Sequence, residues 1–568
     1  MGLDKFEAYI EDERARFEVQ GVAVAVIHGD EELLNAGFGF ADVETDRPMS
    51  ADTVLAIGSS TKAFTVTALG TLVDEGLLDW DKPVREYLPG FRMHDPFATE
   101  HLCVRDMLSH RSGLPRHEFL WYGNNDLTRA EVVEKLRHLE PNKTFREVWQ
   151  YNNLMYITAG HLIEVLTGET WEQRVQRCIF DKLGMSNSSF TFDAARASGK
   201  LATPYAKLDE KVVPIPHRDL DLAGPAGSIN ATVGDLARWL EANVNGGTRA
   251  GVEIVSAPTI KQIHAPTMVM PEGPQFFDET YSGGYAMGWF LENYRGTKLV
   301  HHGGNVDGFT ALVTFAPKEK IGVAILANMN ATTLPTVLAY RAFDELLGLD
   351  PIPWGERYHN LQQTMMGGAK QAKEIRKSQA GAAPPSHPLA DYVGEYTQDA
   401  YPTIKLSLSA DGQELVPHYN GLDLTMAHVH YDVWEITYPT FEADFAVSFL
   451  TSYDGGVEGL RIKLEATLPP IEFKKQADRS LADPAKLAAF QGSYALGPMV
   501  VSIELRDNEL QASMAGQPPG KLLPYKERTF KVEGGGDTTI EFELDDSGKA
   551  ARAIIQPAGV FERVPDEG

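Results

Sequence analysis

Ser59-Ser60-Thr61-Lys62 is the single Ser-x-x-Lys of the chain, and it opens the helix-like run Ala63 to Val73. Positions i and i+3 of a helix share a face, so this spacing brings the Lys62 amine beside the Ser59 hydroxyl. A free hydroxyl is a weak nucleophile and needs a base. A lysine can serve once burial or nearby cations bring its pKa below the usual value of about 10.4. The helix N-terminus adds a positive end and free N–H groups close to the serine. Taken alone, so short a pattern also fits a helix-capping serine beside a solvated lysine.

Two further constellations stand in order behind it. Tyr151-Asn152-Asn153 immediately precedes an apolar helical run. A tyrosine whose pKa is lowered from about 10 by an adjacent ammonium can pass a proton to and from a serine. Asn153 offers a donor and an acceptor, enough to bond both a substrate carbonyl and Lys62. The third is His302-Gly303-Gly304-Asn305, placed ahead of a hairpin. Gly303 and Gly304 let a strand backbone approach a ligand closely. The Asn305 backbone N–H can then complete an oxyanion hole with that of Ser59. The plain alternatives are a turn-forming asparagine pair beside a packing tyrosine and a loop with an incidental histidine pair.

The elements that must position these groups emerge from hydrophobic patterning. Val22 to Ile27, a His28-Gly29-Asp30 turn and Glu31 to Phe40 read as one strand hairpin. Phe309 to Phe315 and Ile321 to Leu326 read as another, with Pro317 to Lys320 between them. Helices are expected at Thr61–Glu75, closed by Gly76, and at Leu154–Leu166, closed by Gly168. Strands at both ends with helices between them predict one antiparallel sheet assembled from the two ends of residues 1–350.

Beyond residue 350 the texture changes. From about Thr364 to Pro388 the pattern dissolves into Lys, Gln and Ala and then Gly381-Ala-Ala-Pro-Pro-Ser386, which predicts a linker over 351–387. The remaining residues read as all-β, with short alternating runs and Asp-Gly or Gly-Gly turns. This tail repeats itself. Tyr392-Val-Gly394-Glu-Tyr396 recurs as Phe490-Gln-Gly492-Ser-Tyr494, and Ile471-Glu-Phe473-Lys recurs as Val560-Phe561-Glu-Arg. Each copy spans roughly 90 residues, which predicts two small antiparallel barrels at 388–476 and 477–568.

Composition narrows the function classes. At 568 residues the chain has room for three or four domains of roughly 150 residues each. Its net charge of −27 repels phosphate backbones and anionic lipid, which argues against nucleic-acid and membrane-surface partners. Only Cys103 and Cys178 are present, so neither a disulfide framework nor a four-cysteine zinc site can be built. His428-x-His430 lacks a third and fourth ligand, and no metal or other cofactor is expected. The N-terminus has no basic region followed by an apolar one, and Phe6 stands where a myristoylation signal needs Ser or Thr. The expected location is the cytoplasm.

Ser-x-x-Lys, Tyr-x-Asn and His-x-Gly in this order resemble the penicillin-recognising serine hydrolases. That group holds class C β-lactamases, D,D-peptidases, D-aminopeptidases and related esterases. Val104 to Leu114, Ile179 to Met185 and Ala226 to Ala237 also look like the family's recurring segments. The resemblance implies an α/β sandwich of β-lactamase/transpeptidase type, an antiparallel sheet flanked by helices. With the tail, the expected fold ends in two small lipocalin-like antiparallel β-barrels. It further implies that Ser59 is acylated, that Lys62 and Tyr151 share the proton transfers, and that Asn153 holds the substrate amide. His302 would complete the catalytic set where most of the family carries lysine. Gly303, Gly304 and Asn305 would form the substrate-binding strand.

The exchange of lysine for His302 bears on substrate. A mostly neutral imidazole anchors a carboxylate weakly, which lowers the expectation of β-lactam or D,D-carboxypeptidase chemistry. Twin barrels after the catalytic domain resemble the D-aminopeptidase branch, in which barrel loops shape the pocket. The expected substrate is a small molecule or short peptide, cleaved by a D-stereospecific aminopeptidase or D-amino-acid amidase. Carboxylesterase or lactonase activity is the first alternative, then β-lactamase or D,D-carboxypeptidase. A catalytically silent ligand-binding protein is the alternative outside the class. Assembly as a homo-oligomer is left open.

Overall fold

The computed structural model describes residues 3, 5–124, 126–270, 276–379, 383–438, 443–453, 455–476, 483–526, 528–535 and 538–565. Helix α1 (Phe6–Arg16) leads into the hairpin β1 (Gly21–His28) and β2 (Glu31–Asp42), followed by the short β3 (Arg47–Pro48). Five strands close to the other end complete the sheet: β4 (Thr280–Tyr285), β5 (Phe290–Tyr294), β6 (Thr297–Val306), β7 (Phe309–Ala316) and β8 (Ile321–Ala327). The spatial order is β4-β5-β6-β7-β8-β1-β2-β3, and β1 pairs antiparallel with β8 from Val22 opposite Ala327 to His28 opposite Ile321. The two ends of the chain segment therefore meet in one sheet, as the pattern predicts.

The alternating Val-Ala code of β1 explains the layers. Val22, Val24 and Val26 enter a core shared with Phe6 and Ile10 of α1. Ala23, Ala25 and Ile27 point the other way, into the core that carries α2 (Thr61–Asp74). The small alanines let the helical layer sit close on that face. Within this layer lie α3 (Val104–Leu108), α4 (Leu154–Thr167), α5 (Gly224–Gly227) and α6 (Val233–Val244). Gly168, with φ of 73°, ends α4 as expected. Gly160 fixes how close α4 and α5 come, because a Cβ there would stand 2.1 Å from Cγ of Pro225. On the opposite face, α7 (Leu334–Leu346) covers the sheet beside α1.

The segment expected as a linker differs from an irregular chain, for α8 (Trp354–Gln379) runs through most of it. Its Ala, Lys, Gln, Glu, Arg and Met content favours helix even where no apolar stripe recurs. Absence of periodicity is not absence of structure. Trp354 anchors its start, fully buried, with Nε1 donating to the Tyr294 hydroxyl at 3.0 Å.

Two eight-stranded antiparallel barrels complete the chain, the first nearly closed and the second closed. The first runs from Gly394–Thr397 to Ile471–Lys475 and the second from Gly492–Leu496 to Gly559–Arg563. The sequence repeat survives in atomic detail. Tyr396 and Tyr494 are both fully buried, and each hydroxyl donates at 2.7 Å to the carbonyl four residues earlier, Tyr392 or Phe490. Gly394 and Gly492 have φ of 144° and 150°, a conformation that the repeated glycine permits. No helix among the described residues is long and apolar enough to cross a membrane.

The two barrels differ in what they pack on. Tyr392, Tyr396 and Phe473 of the first join the hydrophobic core that contains α2 and α4. Phe490, Phe530 and Phe561 of the second form a core of their own. Phe561→Ala is therefore expected to remove about 3–5 kcal/mol from the second barrel alone. Differential scanning calorimetry should show one transition moving down in temperature while the main one stays. Equal displacement of every transition would mean that the barrels and sheet unfold as one unit.

Candidate active site

Ser59 lies in a 3-10 turn, Gly58–Ser60, that runs directly into α2. Gly58 has φ of 51°, and a Cβ on it would stand 2.7 Å from the Asn305 backbone nitrogen. Opposite, a Cβ on Gly304 would fall 1.8 Å from the Ile57 carbonyl oxygen and 2.9 Å from the Ser59 nitrogen. The start of the helix and the end of β6 touch backbone to backbone, which only a pair of glycines allows. The two amides expected to form an oxyanion hole, those of Ser59 and Asn305, are brought together at this contact.

Lys62 is completely buried one turn along. Its Nζ donates to Ser59 Oγ at 3.0 Å and to the Ala226 carbonyl of α5 at 2.7 Å. It also lies over the Tyr151 and Tyr156 rings, 4.8 and 5.2 Å from their centres. Burial drives its pKa well below the usual lysine value, against the raising effect of Glu118 and with help from Arg116. The amine can thus be neutral and accept a proton. The Tyr151 hydroxyl is hydrogen-bonded to Ser59, but burial pushes the phenol up rather than down. The expected lowering needs a lasting ammonium beside it, and a desolvated Lys62 does not supply one.

Asn153 departs from the expected bond to Lys62. Its Nδ2 donates to both carboxylate oxygens of Glu118, at 3.1 Å each. Its buried Oδ1 has no hydrogen-bond partner among the described residues, leaving an acceptor for an incoming N–H. His302 is buried on β6 with both ring nitrogens engaged: Nδ1 with the Gly303 carbonyl at 2.6 Å and Nε2 with the Tyr285 hydroxyl at 3.1 Å. A carbonyl only accepts, so Nδ1 carries the proton and Nε2 receives the tyrosine hydroxyl. Burial, then Lys62, lowers the His302 pKa to about 3. The ring is a neutral piece of the cleft wall with both nitrogens already occupied. The other histidine pair noted in the sequence, His428 and His430, lies across a strand bulge, with His428 Nε2 on the Tyr431 carbonyl at 2.8 Å.

Ser59, Tyr151, Asn153, His302 and Asn305 line a cleft of about 730 Å³. Sequence reasoning missed one of its walls, the loop from Pro115 to Asn124. Glu118 and Arg116 face the cleft and pair with each other at 2.9 Å, and the Arg116 guanidinium stacks over Tyr151, 4.8 Å from its ring centre. The first barrel holds this loop from outside. Glu465 accepts the Glu118 backbone N–H at 2.7 Å, the Tyr419 hydroxyl donates to the Phe119 carbonyl at 2.6 Å, and Asn420 Nδ2 donates to the Tyr122 carbonyl at 3.0 Å. Thr467 of the barrel reaches the cleft itself. No spacing rule ties position 118 to position 59, so no local signal could have announced Glu118.

A family model described as Beta-lactamase matches residues 6–346, and one described as a domain of unknown function (DUF3471) matches residues 378–476. Among curated proteins, the unguisins hydrolase ungD of Aspergillus violaceofuscus is 30% identical over 470 residues, covering 76% of this chain and 82% of that protein. The octameric penicillin-binding protein homologue from Pyrococcus abyssi superposes with a TM-score of 0.55 at 22% identity, covering 91% of this chain and 99% of the other. The D-amino acid amidase from Ochrobactrum anthropi SV3 gives 0.52 at 23% identity, covering 61% of this chain and 98% of that one. Both structural likenesses speak to the fold.

The Lys62 geometry sets a pH dependence. Only the unprotonated amine can take the Ser59 proton, and its pKa in the folded chain lies well below 10.5. Labelling of Ser59 by a fluorophosphonate, followed by mass spectrometry against pH, should rise from acid and level off well short of that value. An inflection at or above about pH 10 would mean an ordinary, solvated ammonium.

Proposed function

The chain belongs to the Beta-lactamase family, and on that premise we propose that it is a serine hydrolase that cleaves amides or short peptides bearing a free amine beside the scissile carbonyl. The preferred substrates are D-configured, making it a D-amino-acid amidase or D-aminopeptidase. Neutral Lys62 takes the proton from Ser59 as Oγ attacks the carbonyl carbon. The backbone N–H groups of Ser59 and Asn305 receive the developing oxyanion. The proton passes through the Tyr151 hydroxyl to the departing nitrogen, leaving the acyl group on Ser59. Water then enters along the same path in reverse, returning a proton to Ser59 and releasing the acid.

The observation that carries the substrate assignment is the sign of charge in the cleft. The β6 position that could anchor a carboxylate holds a neutral, fully engaged His302, while Glu118 presents a carboxylate to the same cleft. An ammonium seated on Glu118 takes over the place of the half-exposed Arg116 and points its neighbouring carbonyl toward Ser59. The unpaired Asn153 Oδ1 is then available to the substrate N–H. D-configuration is supported by the fold neighbour whose described activity is that of a D-amino acid amidase.

A panel of D- and L-aminoacyl p-nitroanilides, their N-acetyl analogues, short esters and nitrocefin tests this reading. D-aminoacyl compounds should turn over fastest, with all activity lost in Ser59→Ala and at least about 100-fold lost in Tyr151→Phe. Glu118→Gln should raise KM for aminoacyl substrates by about 10- to 100-fold, the scale of a charged hydrogen bond, and leave N-acetyl analogues unchanged. Preference for nitrocefin, or for cleavage of a C-terminal D-Ala-D-Ala, would overturn the assignment.

A further inference from the structure

His110 stands two residues beyond α3 and is fully buried, with a left-handed backbone at φ of 57°. That conformation is uncommon outside glycine, though asparagine, aspartate and histidine adopt it more readily than most, and here it has a consequence. It turns the His110 carbonyl and the His110 ring toward the same stretch of chain, residues 150–152. The Gln150 backbone N–H donates to the His110 carbonyl at 2.8 Å. The Asn152 backbone N–H donates to the His110 Nδ1 at 3.1 Å. Tyr151 is the residue between those two grips, and its ring lies 4.4 Å from the His110 ring, centre to centre.

The ring nitrogens state what this histidine is for. An amide N–H can only donate, so Nδ1 is unprotonated and the proton sits on Nε2. Nε2 is buried and has no hydrogen-bond partner among the described residues. A leucine would fill the same space without leaving a buried N–H unpaired, which is costly. What the imidazole alone supplies is the acceptor at Nδ1. Burial, with Lys62 second, keeps its pKa well below the usual histidine value, so the acceptor persists. Neighbouring side chains tighten the same seam, as Gln150 Nε2 donates to the Gly113 carbonyl at 3.0 Å.

We propose that His110 is a positioning residue that sets Tyr151, gripping the backbone on both sides of it so that the phenol stays on Ser59. The proposal rests on the reading of Tyr151 as proton relay. It predicts that position 110 matters to the reaction through Tyr151 and through nothing else.

The test compares His110→Asn with His110→Leu, each in the wild-type and the Tyr151→Phe background. Asparagine tolerates the left-handed backbone and carries Oδ1 as many bonds from Cα as histidine carries Nδ1. Leucine keeps volume and removes the acceptor. The readout is kcat/KM on the best substrate of the panel, with the Ser59 labelling rate as a second measure. His110→Leu should lose about 10- to 100-fold in the wild-type background and less than about 3-fold in Tyr151→Phe. His110→Asn should stay within about 5-fold of wild type. If His110→Leu does not fold, His110→Gly keeps the backbone conformation without the acceptor and serves in its place. Equal losses in both backgrounds, or asparagine no better than leucine, would overturn the role of His110. A Tyr151→Phe rate equal to wild type would instead overturn the relay that His110 is said to serve.

Discussion

Everything around the site answers to one constraint, an amine with no access to water. Lys62 is completely buried, and desolvating an ammonium costs far more than any single contact returns. The fold meets this by giving Nζ two oxygen partners, Ser59 and the Ala226 carbonyl, and two aromatic faces. The two oxygens match the two N–H donors of a neutral amine, and it is burial that lowers the pKa. The short helix α5 brings the Ala226 carbonyl in at this point, and Gly160 lets it approach. Burial, with Arg116 adding to it, takes an ordinarily protonated side chain well below its usual pKa.

The same constraint explains the neighbouring histidines. His110 and His302 are both buried beside Lys62, and a proton on Lys62 would disfavour one on either ring. Three cations in one dry pocket would be untenable, and both imidazoles are held neutral by burial first. Their nitrogens then act as fixed acceptors: His302 Nε2 takes the Tyr285 hydroxyl and His110 Nδ1 takes the Asn152 amide. Neutral imidazole is well suited here, since its acceptor survives wherever protonation is forbidden.

Much of this is legible in the sequence because it is local or periodic. Ser59 and Lys62 share a helix, so three residues of spacing suffice to place them. The Val-Ala alternation of β1 announces a strand covered on both faces, and the repeated aromatic-x-Gly-x-Tyr announces two barrels. The illegible part depends on contacts between distant segments. Glu118 reaches the cleft because Glu465, Tyr419 and Asn420 hold its loop from a barrel far along the chain, Glu465 lying 347 residues away. Asn153 reads as a partner of Lys62 because its chemistry allows it, yet Glu118 claims its amide. The Tyr151 pKa moves opposite to the expected direction because burial, which sequence does not give residue by residue, outweighs a neighbouring charge.

The position of Glu118 then poses a question of balance. A carboxylate near Lys62 favours the ammonium and raises the pKa that burial lowers. Arg116 counters it while the cleft is empty, pairing with Glu118 and lowering the Lys62 pKa in its own right. In the proposed reaction a substrate ammonium does the same work from a better place, seated on the carboxylate and drier than the exposed guanidinium. Its charge cancels that of Glu118 and keeps Lys62 neutral at the moment a base is needed. A substrate with a carboxylate in that place would add to Glu118 and return the proton to Lys62. Under the proposed function, the charge that selects the substrate therefore also selects the state of the base, and binding and proton transfer are coupled through a single side chain.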